Sequence, residues 1–214
     1  MIIETIYVVA SGVIWTVALT IGSLSFGLVL GVPLCIMRLS RFAIIRQTGA
    51  IVILLMQSIP YILMLFLIYF GIGSGYLNLT PFQAAVIGFG LVTGANVAEI
   101  YRGALKAIHP GQWEAIAALN MPARSSFRDI IAPQLLRIAL PSIATYTIGL
   151  MKESALASTI GVSDIAFYAH QEAERTFKGL EVFAIAGLLY MALSIPIAGL
   201  ARYSDAKLQG RIAR

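Results

Sequence analysis

Three groups of polar residues interrupt the long apolar stretches of this sequence, and they are the positions at which the chain could do chemistry. The groups are Gln57 with Ser58, Thr93 with Asn96 and Glu99, and Lys152 with Glu153 and Ser154. An ionisable group in apolar surroundings is costly unless it is paired or faces a water-filled cavity. Thr93, Asn96 and Glu99 are spaced by three and would lie near one face of a helix. These groups are therefore candidates for binding a polar ligand.

The third group also predicts a local break in the backbone. Ser154 can cap a short helix over residues 155–160 that ends at Gly161. A broken helix in apolar surroundings frees backbone groups to face a ligand. Structural interpretations remain open for the charged pair Lys152–Glu153, which could anchor the chain at an outer membrane interface.

Two residues of the second group also have structural interpretations. Asn96 could join neighbouring helices, an interaction worth only about 0.6–2 kcal/mol in membrane bundles. Glu99 lies about one helical turn from Arg102, so we expect a structural ion pair between them.

Catalytic chemistry has no comparable support. An intramembrane enzyme would need convergent groups, such as paired Asp residues, in neighbouring apolar stretches, and Asp164 and Asp205 fall outside those stretches. His109 and His170 have no Cys or second His at metal-ligand spacing, and Cys35 is the sole cysteine, within an apolar run. The sequence has no Gly-x-x-x-x-Gly-Lys-[Ser/Thr] motif for holding nucleotide phosphates. We expect neither a catalytic residue nor a metal site.

The composition indicates which solvent surrounds the helices that must position these groups. The chain is 59% hydrophobic and 12% charged, whereas an average soluble domain is about 25% charged. A soluble fold of this size could not bury so much apolar surface, so the excess indicates a lipid environment. The net charge of +5 could suggest nucleic-acid binding, but that function requires a clustered basic face.

Charged residues separate the apolar stretches and set the number of membrane spans. A helix needs about 20 apolar residues to cross a bilayer. The uncharged stretch between Arg46 and Glu99 is too long for one span, and the glycine-rich run before Pro81 divides it. We predict one all-α integral membrane domain over residues 1–214, with five spans at about 12–37, 49–70, 81–101, 134–153 and 182–201.

The basic residues predict the orientation of these spans. Segments 38–47 and 102–137 and the C-terminal tail (Arg202, Lys207, Arg211 and Arg214) hold 12 of the 15 Lys and Arg residues. Lys and Arg are enriched in cytoplasmic loops. We therefore expect an N-terminus outside and a C-terminus in the cytoplasm, and we attribute the basic balance to topology, with no nucleic-acid partner.

The longest cytoplasmic segment contains its own folding signals. Pro110-Gly111 predicts a turn, and the good helix formers over Gln112–Leu119 predict a two-turn helix with Glu114 in its first turn. Asn120 can adopt a left-handed conformation, and Pro122 forbids helical continuation. A helix this short is not stable alone, so we expect a partner to hold it.

Several motifs resemble those of the membrane subunits of ABC importers. The cytoplasmic signature of that family is Glu-Ala-Ala, a Gly six residues after the Glu, an Ile and a Leu-Pro; this chain has Glu114-Ala115-Ile116, Asn120, Ile130 and Ala132-Pro133. The chain departs from the signature at Ile116, Asn120 and Ala132. Closer matches to the polar-amino-acid (histidine/glutamine-type) permeases are Ala98-Glu99-Ile100-Tyr101-Arg102-Gly103, Phe127-Arg128, Pro133-Gln134, Leu140-Pro141, Lys152 to Ser158 and Ile160-Gly161-Val162. Gln57-Ser58-Ile59-Pro60 stands where that family often has Arg-Gly-Thr-Pro.

The resemblance implies a fold and a mechanical role for the cytoplasmic loop 106–133. The fold would be the type I, MetI-like importer domain, and Glu114 to Leu119 would be a coupling helix held in a cleft of a separate ATPase. A short rigid helix can pass a rigid-body movement to the helices beside it. The implied coupling residues are Glu114, Ala115, Ala118, Asn120, Pro122 and Arg124.

The resemblance also implies a complex in the cell (inner) membrane. Its other parts would be an ATPase dimer that binds ATP and Mg, a second permease subunit, identical or homologous, and an extracytoplasmic substrate-binding protein. This chain would contact lipid and would itself bind no cofactor. The alternative function is a secondary carrier or channel that works without ATP, and co-purification with an ATPase discriminates between the two.

The class of ligand, polar amino acids or relatives such as opines, rests on the resemblance. Our hypothesis is that Glu153 receives an ammonium or cationic side chain of the ligand, while Asn96 and Thr93 supply neutral hydrogen bonds. The remaining candidate residues of this site are Gln57, Ser58 and Ser154.

Overall fold

The computed structural model describes residues 2–212, with side chains described for all of these except 74–76, 200, 201 and 203–212. Within this part of the chain the secondary structure is helical, as lipid requires of a spanning chain that does not form a barrel. The α-helices are α1 (Ile2–Ala10), α2 (Val13–Leu39), α3 (Ala43–Ser58), α4 (Tyr61–Phe66), α5 (Pro81–Ala107), α6 (Pro110–Ala118), α7 (Ala123–Ser125), α8 (Ala132–Glu153), α9 (Ile165–Thr176) and α10 (Gly179–Ile212). In the predicted cytoplasmic tail, Arg214 and the side chains of Lys207 and Arg211 lie outside the described residues.

Helix length and composition identify the segments that could cross a membrane. Three do so as single stretches, Ile2–Leu39, Pro81–Ala107 and Gly179–Gly199, and the bent pair Ala43–Ser58 with Tyr61–Gly73 is a fourth if it counts as one span. The predicted span at 134–153 is present as helix α8, but α8 is not among these apolar segments. Its polar residues lower its hydropathy, so the number of five spans stays a prediction.

Helices α2 and α5 pack closely, and glycines make that approach possible. A Cβ added at Gly27 would collide with the Thr93 side chain, and one at Gly94 would lie 2.8 Å from Leu30. Close contact through small residues is a common way to join helices in lipid, where the hydrophobic effect does not drive association. This contact holds Thr93 in place within α5.

The predicted span over 49–70 is not one straight helix, because the chain bends by 99° between α3 and α4. Ile59 is extended and Pro60 precedes the new helix at Tyr61. A residue before proline is disfavoured in the helical conformation, and proline lacks the amide hydrogen that a continuing helix needs. The chain then continues as a π-helix over Leu67–Leu77.

Two helical segments follow α8 before the last membrane helix. A 3-10 helix over Ser154–Ile160 ends at Gly161, which has a φ of 92°. Helix α9 follows, and the Asp164 carboxylate caps it by accepting a hydrogen bond of 2.8 Å from the backbone N–H of Phe167. Asp164 lies outside the predicted spans, as expected, and it is fully buried between helices.

Buried polar contacts join α9 to the membrane helices. The hydroxyl of Tyr190 donates to the Asp164 carboxylate at 3.3 Å, and the backbone N–H of Ile165 donates to the hydroxyl of Thr16 at 3.2 Å. Burial raises the pKa of Asp164 to about 7, although the hydrogen bonds that its carboxylate accepts act in the opposite direction. The α9 cap is thus a buried link between α2 and α10.

Candidate functional site

A tyrosine hydroxyl in the middle of α8 organises the polar residues of the neighbouring helices. The Tyr146 hydroxyl lies 2.9 Å from the Tyr61 hydroxyl and donates to the hydroxyl of Thr93 at 3.2 Å. The Asn96 amide nitrogen reaches it at 3.5 Å and also donates to the backbone carbonyl of Val92 at 2.8 Å. We call Tyr61, Thr93, Asn96, Tyr146 and Gln57, which is described next, the polar cluster.

Gln57 extends the polar cluster towards the surface of the bundle. Its side-chain amide donates to the Asn96 side-chain carbonyl at 3.2 Å. Gln57 is the penultimate residue of α3, so the bend at Pro60 places Gln57 and Tyr61 on either side of one corner. The corner thereby brings residues of α3, α4, α5 and α8 to one place.

Two clefts meet at the polar cluster. One has a volume of about 400 Å³ and is lined by the corner at Gln57–Tyr61 with Val92, Asn96 and Tyr146. The other has a volume of about 720 Å³ and continues past Asn96 to Glu99 and Arg202. Asn96 and Tyr146 line both clefts. A polar surface thus runs from the middle of the bundle towards the basic end of α5, with hydrogen-bond groups available to a small polar solute.

Three of the six predicted ligand residues, Gln57, Thr93 and Asn96, lie together in the polar cluster. The predicted sharing of one helix face by Thr93 and Asn96 is thus confirmed. Ser58 lines the smaller cleft, but its hydroxyl donates to the backbone carbonyl of Leu54 at 2.7 Å.

The two predicted ligand residues on α8 and just after it lie apart from the polar cluster. Ser154 is buried and donates to the carbonyl of Met151, so its predicted role as a cap of the following helix is wrong. The helix stays continuous there because Glu153 and Ser154 keep right-handed helical angles. Glu153 is exposed, two helical turns beyond Tyr146 on α8, or about 10 Å along the axis.

Glu99 forms the ion pair predicted from its spacing to Arg102. The Arg102 Nε lies 2.7 Å from the Glu99 carboxylate, which also accepts from the Arg38 Nε at 3.0 Å. Arg38 belongs to the last turn of α2, so the second partner was not apparent from local sequence. The pairing ties the basic ends of α2 and α5 together at the edge of the larger cleft.

Tyr61 and Tyr146, which complete the polar cluster, were not among the residues predicted for the site. The signal that could have identified Tyr146 is its place in the middle of the predicted span 134–153, where no water interface is available to its hydroxyl. A buried hydroxyl needs a hydrogen-bond partner, and Tyr146 finds three.

The predicted cytoplasmic helix is present as α6, although it starts two residues earlier than expected. His109 caps it by accepting a hydrogen bond from the backbone N–H of Gly111, and Pro110 is its first residue. Glu114 therefore lies beyond the first turn, contrary to the prediction, because proline at the first position begins the helix instead of making a separate turn.

The end of α6 has the predicted left-handed residue. Asn120 has a φ of 47°, and the backbone N–H of Met121 donates to Ile116 at 3.2 Å while that of Asn120 donates to Ala117 at 3.1 Å. Two such bonds around a left-handed residue form a Schellman motif. Pro122 then adopts an extended conformation and precedes the short helix α7.

The predicted coupling residues lie on an exposed surface. Helix α6 contains no buried residue, and it presents the side chains of Trp113 and Leu119 with exposed fractions of 45% and 73%. Exposed large apolar side chains on a polar rim are typical of protein interaction sites. Glu114, Ala115, Ala118, Asn120, Pro122 and Arg124 are all exposed.

The comparisons with known proteins agree with this arrangement. The family described as "binding-protein-dependent transport system inner membrane component" matches residues 23–210. This chain belongs to that family. The permease is 33% identical over 191 residues to a probable amino-acid ABC transporter permease protein, YckA, of Bacillus subtilis, covering 89% of this chain and 84% of the relative.

Two further similarities extend over most of the chain. The permease is 31% identical over 203 residues to the arginine transport system permease protein ArtQ of Bacillus subtilis, covering 94% of this chain and 92% of the relative. It also superposes with a TM-score of 0.87 on a chain of the solved structure described as "Crystal structure of an amino acid ABC transporter with histidines", at 28% identity and covering 96% of each chain.

Family membership gives the role of the chain. It is an inner-membrane permease subunit of an ABC importer with the all-helical type I transmembrane fold. Its relatives are transporter permease subunits, and ATP hydrolysis belongs to a partner subunit in this family. The importer assignment is therefore favoured over the ATP-independent carrier or channel.

Proposed function

We propose that this permease moves a polar amino acid or an amino-acid-like solute into the cytoplasm, along the surface formed by the polar cluster and its two clefts. The observation that carries the proposal is the convergence of Gln57, Asn96 and Tyr146 from three helices at the junction of those clefts. Hydrogen-bond donors and acceptors inside an apolar bundle suit a solute with polar groups at both ends. The names of two relatives, one an arginine permease, support the substrate class.

In the proposed complex, other subunits flank the transport pathway in the membrane and on both faces of it. Five spans would place the N-terminus outside and the C-terminus inside, in agreement with the distribution of basic residues. A second permease, a copy or a homologue, would face the polar cluster across the pathway, and a binding protein would deliver the solute from outside. An ATPase dimer, which holds ATP and Mg, would dock on α6 and its exposed neighbours Pro122 and Arg124.

Within this pathway we assign different roles to the candidate ligand residues. Asn96 and Thr93 would offer neutral hydrogen bonds, and Gln57 and Ser58 would line the approach. Glu153 would receive a positive group of the solute at the outer end, about 10 Å from Tyr146 along α8. It is exposed, which keeps it accessible. Ser154, which is buried and bonded to Met151, would support the position of Glu153.

The test is transport by the reconstituted complex, with a mixture of radiolabelled amino acids as the probe. Glu153→Gln keeps the shape and removes the charge, and we expect it to lower ligand-stimulated uptake at least tenfold because the counter-charge is lost. Asn96→Leu should lower uptake similarly by removing both amide groups. The matched control, Glu174→Gln, changes an exposed external glutamate on α9 and should transport normally. Normal uptake by well-expressed Glu153→Gln would remove Glu153 from the site.

A further inference from the structure

Helix α6 is joined to the membrane helices by one side-chain hydrogen bond among those of the described residues. The amide of Gln134, in the first turn of α8, donates to the side-chain carbonyl of Gln112, in the first turn of α6, at 3.2 Å. The same amide donates to the backbone carbonyl of Ile130 at 3.0 Å. A glutamine amide has two donor hydrogens, so both are used and the side chain is fixed in one orientation.

The other connection between α6 and α8 runs along the chain and is compliant. After the left-handed Asn120, it passes through the three-residue helix α7 and a π-helix over Ser126–Ile131. Short helices and π-helical turns interrupt the regular hydrogen bonding that stiffens an α-helix. Ser126 anchors the start of this connection by donating to the carbonyl of Pro122 at 2.9 Å.

The hydrogen bond bypasses this connection, since its two residues are 22 apart in sequence. The hydrogen bond also connects α6 to the helix that carries Tyr146 of the polar cluster. Tyr146 lies 12 residues after Gln134 on the same helix, which corresponds to about 18 Å along the axis of a continuous α-helix. A displacement of the first turn of α6 would thus reach the helix that carries Tyr146 without passing through the compliant segment.

We propose that Gln134 is a positioning residue for coupling: it holds Gln112, so that a movement imposed on α6 by the ATPase moves α8 with it. This rests on the proposed docking of the ATPase on α6. Removing the bond leaves α6 folded, because the cap at His109 and the Schellman motif at Asn120 are untouched. Loss of this hydrogen bond uncouples the movement of α6 from that of α8.

The experiment measures amino acid taken up per phosphate released by the purified complex in proteoliposomes, with the radiolabelled amino-acid mixture. Gln112→Leu removes the acceptor and leaves the bond from Gln134 to Ile130. We expect a roughly two- to tenfold fall in this ratio, as the loss of one hydrogen bond of typical strength implies. Gln112→Glu keeps an acceptor oxygen and should restore the ratio. Gln171→Leu, an exposed glutamine on α9, is the matched control.

The double variant Gln112→Leu/Gln134→Leu should be no worse than Gln134→Leu alone, because the two residues act through one bond. An unchanged ratio in Gln112→Leu, or a ratio that Gln112→Glu fails to restore, overturns the inference. Disulfide trapping between the ATPase and single cysteines over Trp113–Leu119 distinguishes failure of the proposed docking on α6 from failure of the coupling role of Gln134. Trapping in the native background but not in Gln112→Leu makes Gln112 a docking contact and overturns the coupling role, whereas no trapping in either overturns the proposed docking itself.

Discussion

Single polar residues in this permease act by linking helices, and their effect depends on whether they are paired. The Tyr146 hydroxyl is shared among Tyr61, Thr93 and Asn96, so a group that would be costly in lipid becomes part of a network. For Asp164, in contrast, the hydrogen bonds do not offset the cost of burying its charge. It is hydrogen-bonded, yet burial outweighs those bonds and raises its pKa to about 7. Charge at that position therefore comes at the expense of stability.

The raised pKa of Asp164 predicts a dependence of stability on pH. In the unfolded chain an aspartate has an ordinary pKa of about 3.9, so between pH 4 and 7 the folded protein binds a proton that the unfolded chain has released. The stabilisation is fully present below about pH 4 and is lost as the pH rises through about 7. Between pH 6 and pH 8 we expect the free energy of unfolding to fall by about 1 kcal/mol.

The measurement is the melting temperature of the purified protein in detergent at both pH values. Asp164→Asn keeps an oxygen for the N–H of Phe167 and has no charge, so its melting temperature should depend less on pH than that of the native protein. Asp129→Asn, a change to an exposed aspartate in the π-helix over Ser126–Ile131, is the control and should leave the pH dependence as it is. An equal slope in Asp164→Asn and the native protein would show that Asp164 is not the responsible group.

At the scale of elements, α6 is a helix whose two ends are both fixed by local chemistry. His109 and Pro110 begin it, and the left-handed Asn120 ends it with two backbone hydrogen bonds. Its middle has no buried contact to hold it. The caps therefore define a short exposed helix whose outer face stays available to another protein.

Substitution at Asn120 tests the importance of the left-handed end. Asn120→Gly removes the Cβ penalty of a positive φ and should keep the ratio of transport to ATP hydrolysis at or above the native value. Asn120→Val adds a β-branched side chain at a φ of 47°, costs about 1–2 kcal/mol, and should lower that ratio by fraying α6.

Asn78 offers a matched control, since it has a φ of 48° after the π-helix that precedes α5. Asn78→Val introduces the same strain far from α6, so it should lower the melting temperature without changing the transport ratio. A fall of the same size in the ratio of Asn78→Val would mean that general destabilisation, and not the end of α6, causes the loss.

The whole molecule is arranged around the close packing of α2 and α5. Gly27 and Gly31 of α2 face Thr93 and Val97, leaving no room for an added Cβ. Because Thr93 also accepts from Tyr146, this packing positions the polar cluster as well as the bundle. Stability and site geometry are therefore coupled through one helix interface.

Alanine at Gly27 should disturb both properties. The added Cβ collides with Thr93, so we expect a loss of about 1–3 kcal/mol, typical of overpacking, and reduced ligand-stimulated ATPase activity. Gly187→Ala on α10 meets no described atom within 4 Å and should be neutral or stabilising by up to about 1 kcal/mol, from helix propensity. Melting temperature in detergent and ATPase assays compare the two, and equal stability would contradict the packing argument.

The sequence alone determined the features that depend on local chemistry. The apolar composition identified lipid as the solvent, the spacing of Thr93 and Asn96 placed them on one face, and Asn120 with Pro122 predicted the end of α6. Family motifs around Glu114 and Lys152 identified an importer permease. Each of these signals is contained in a few neighbouring residues, where backbone preferences and helical periodicity act directly.

Only the tertiary structure decided which distant residues meet. Tyr61 and Tyr146 join the polar cluster because the bend at Pro60 and the packing of α8 on α5 bring them within hydrogen-bond distance. Arg38 pairs with Glu99, and Asp164 is buried, for the same reason. Hydrogen bonds and burial between residues far apart in sequence depend on how whole helices pack, and no local pattern specifies that packing.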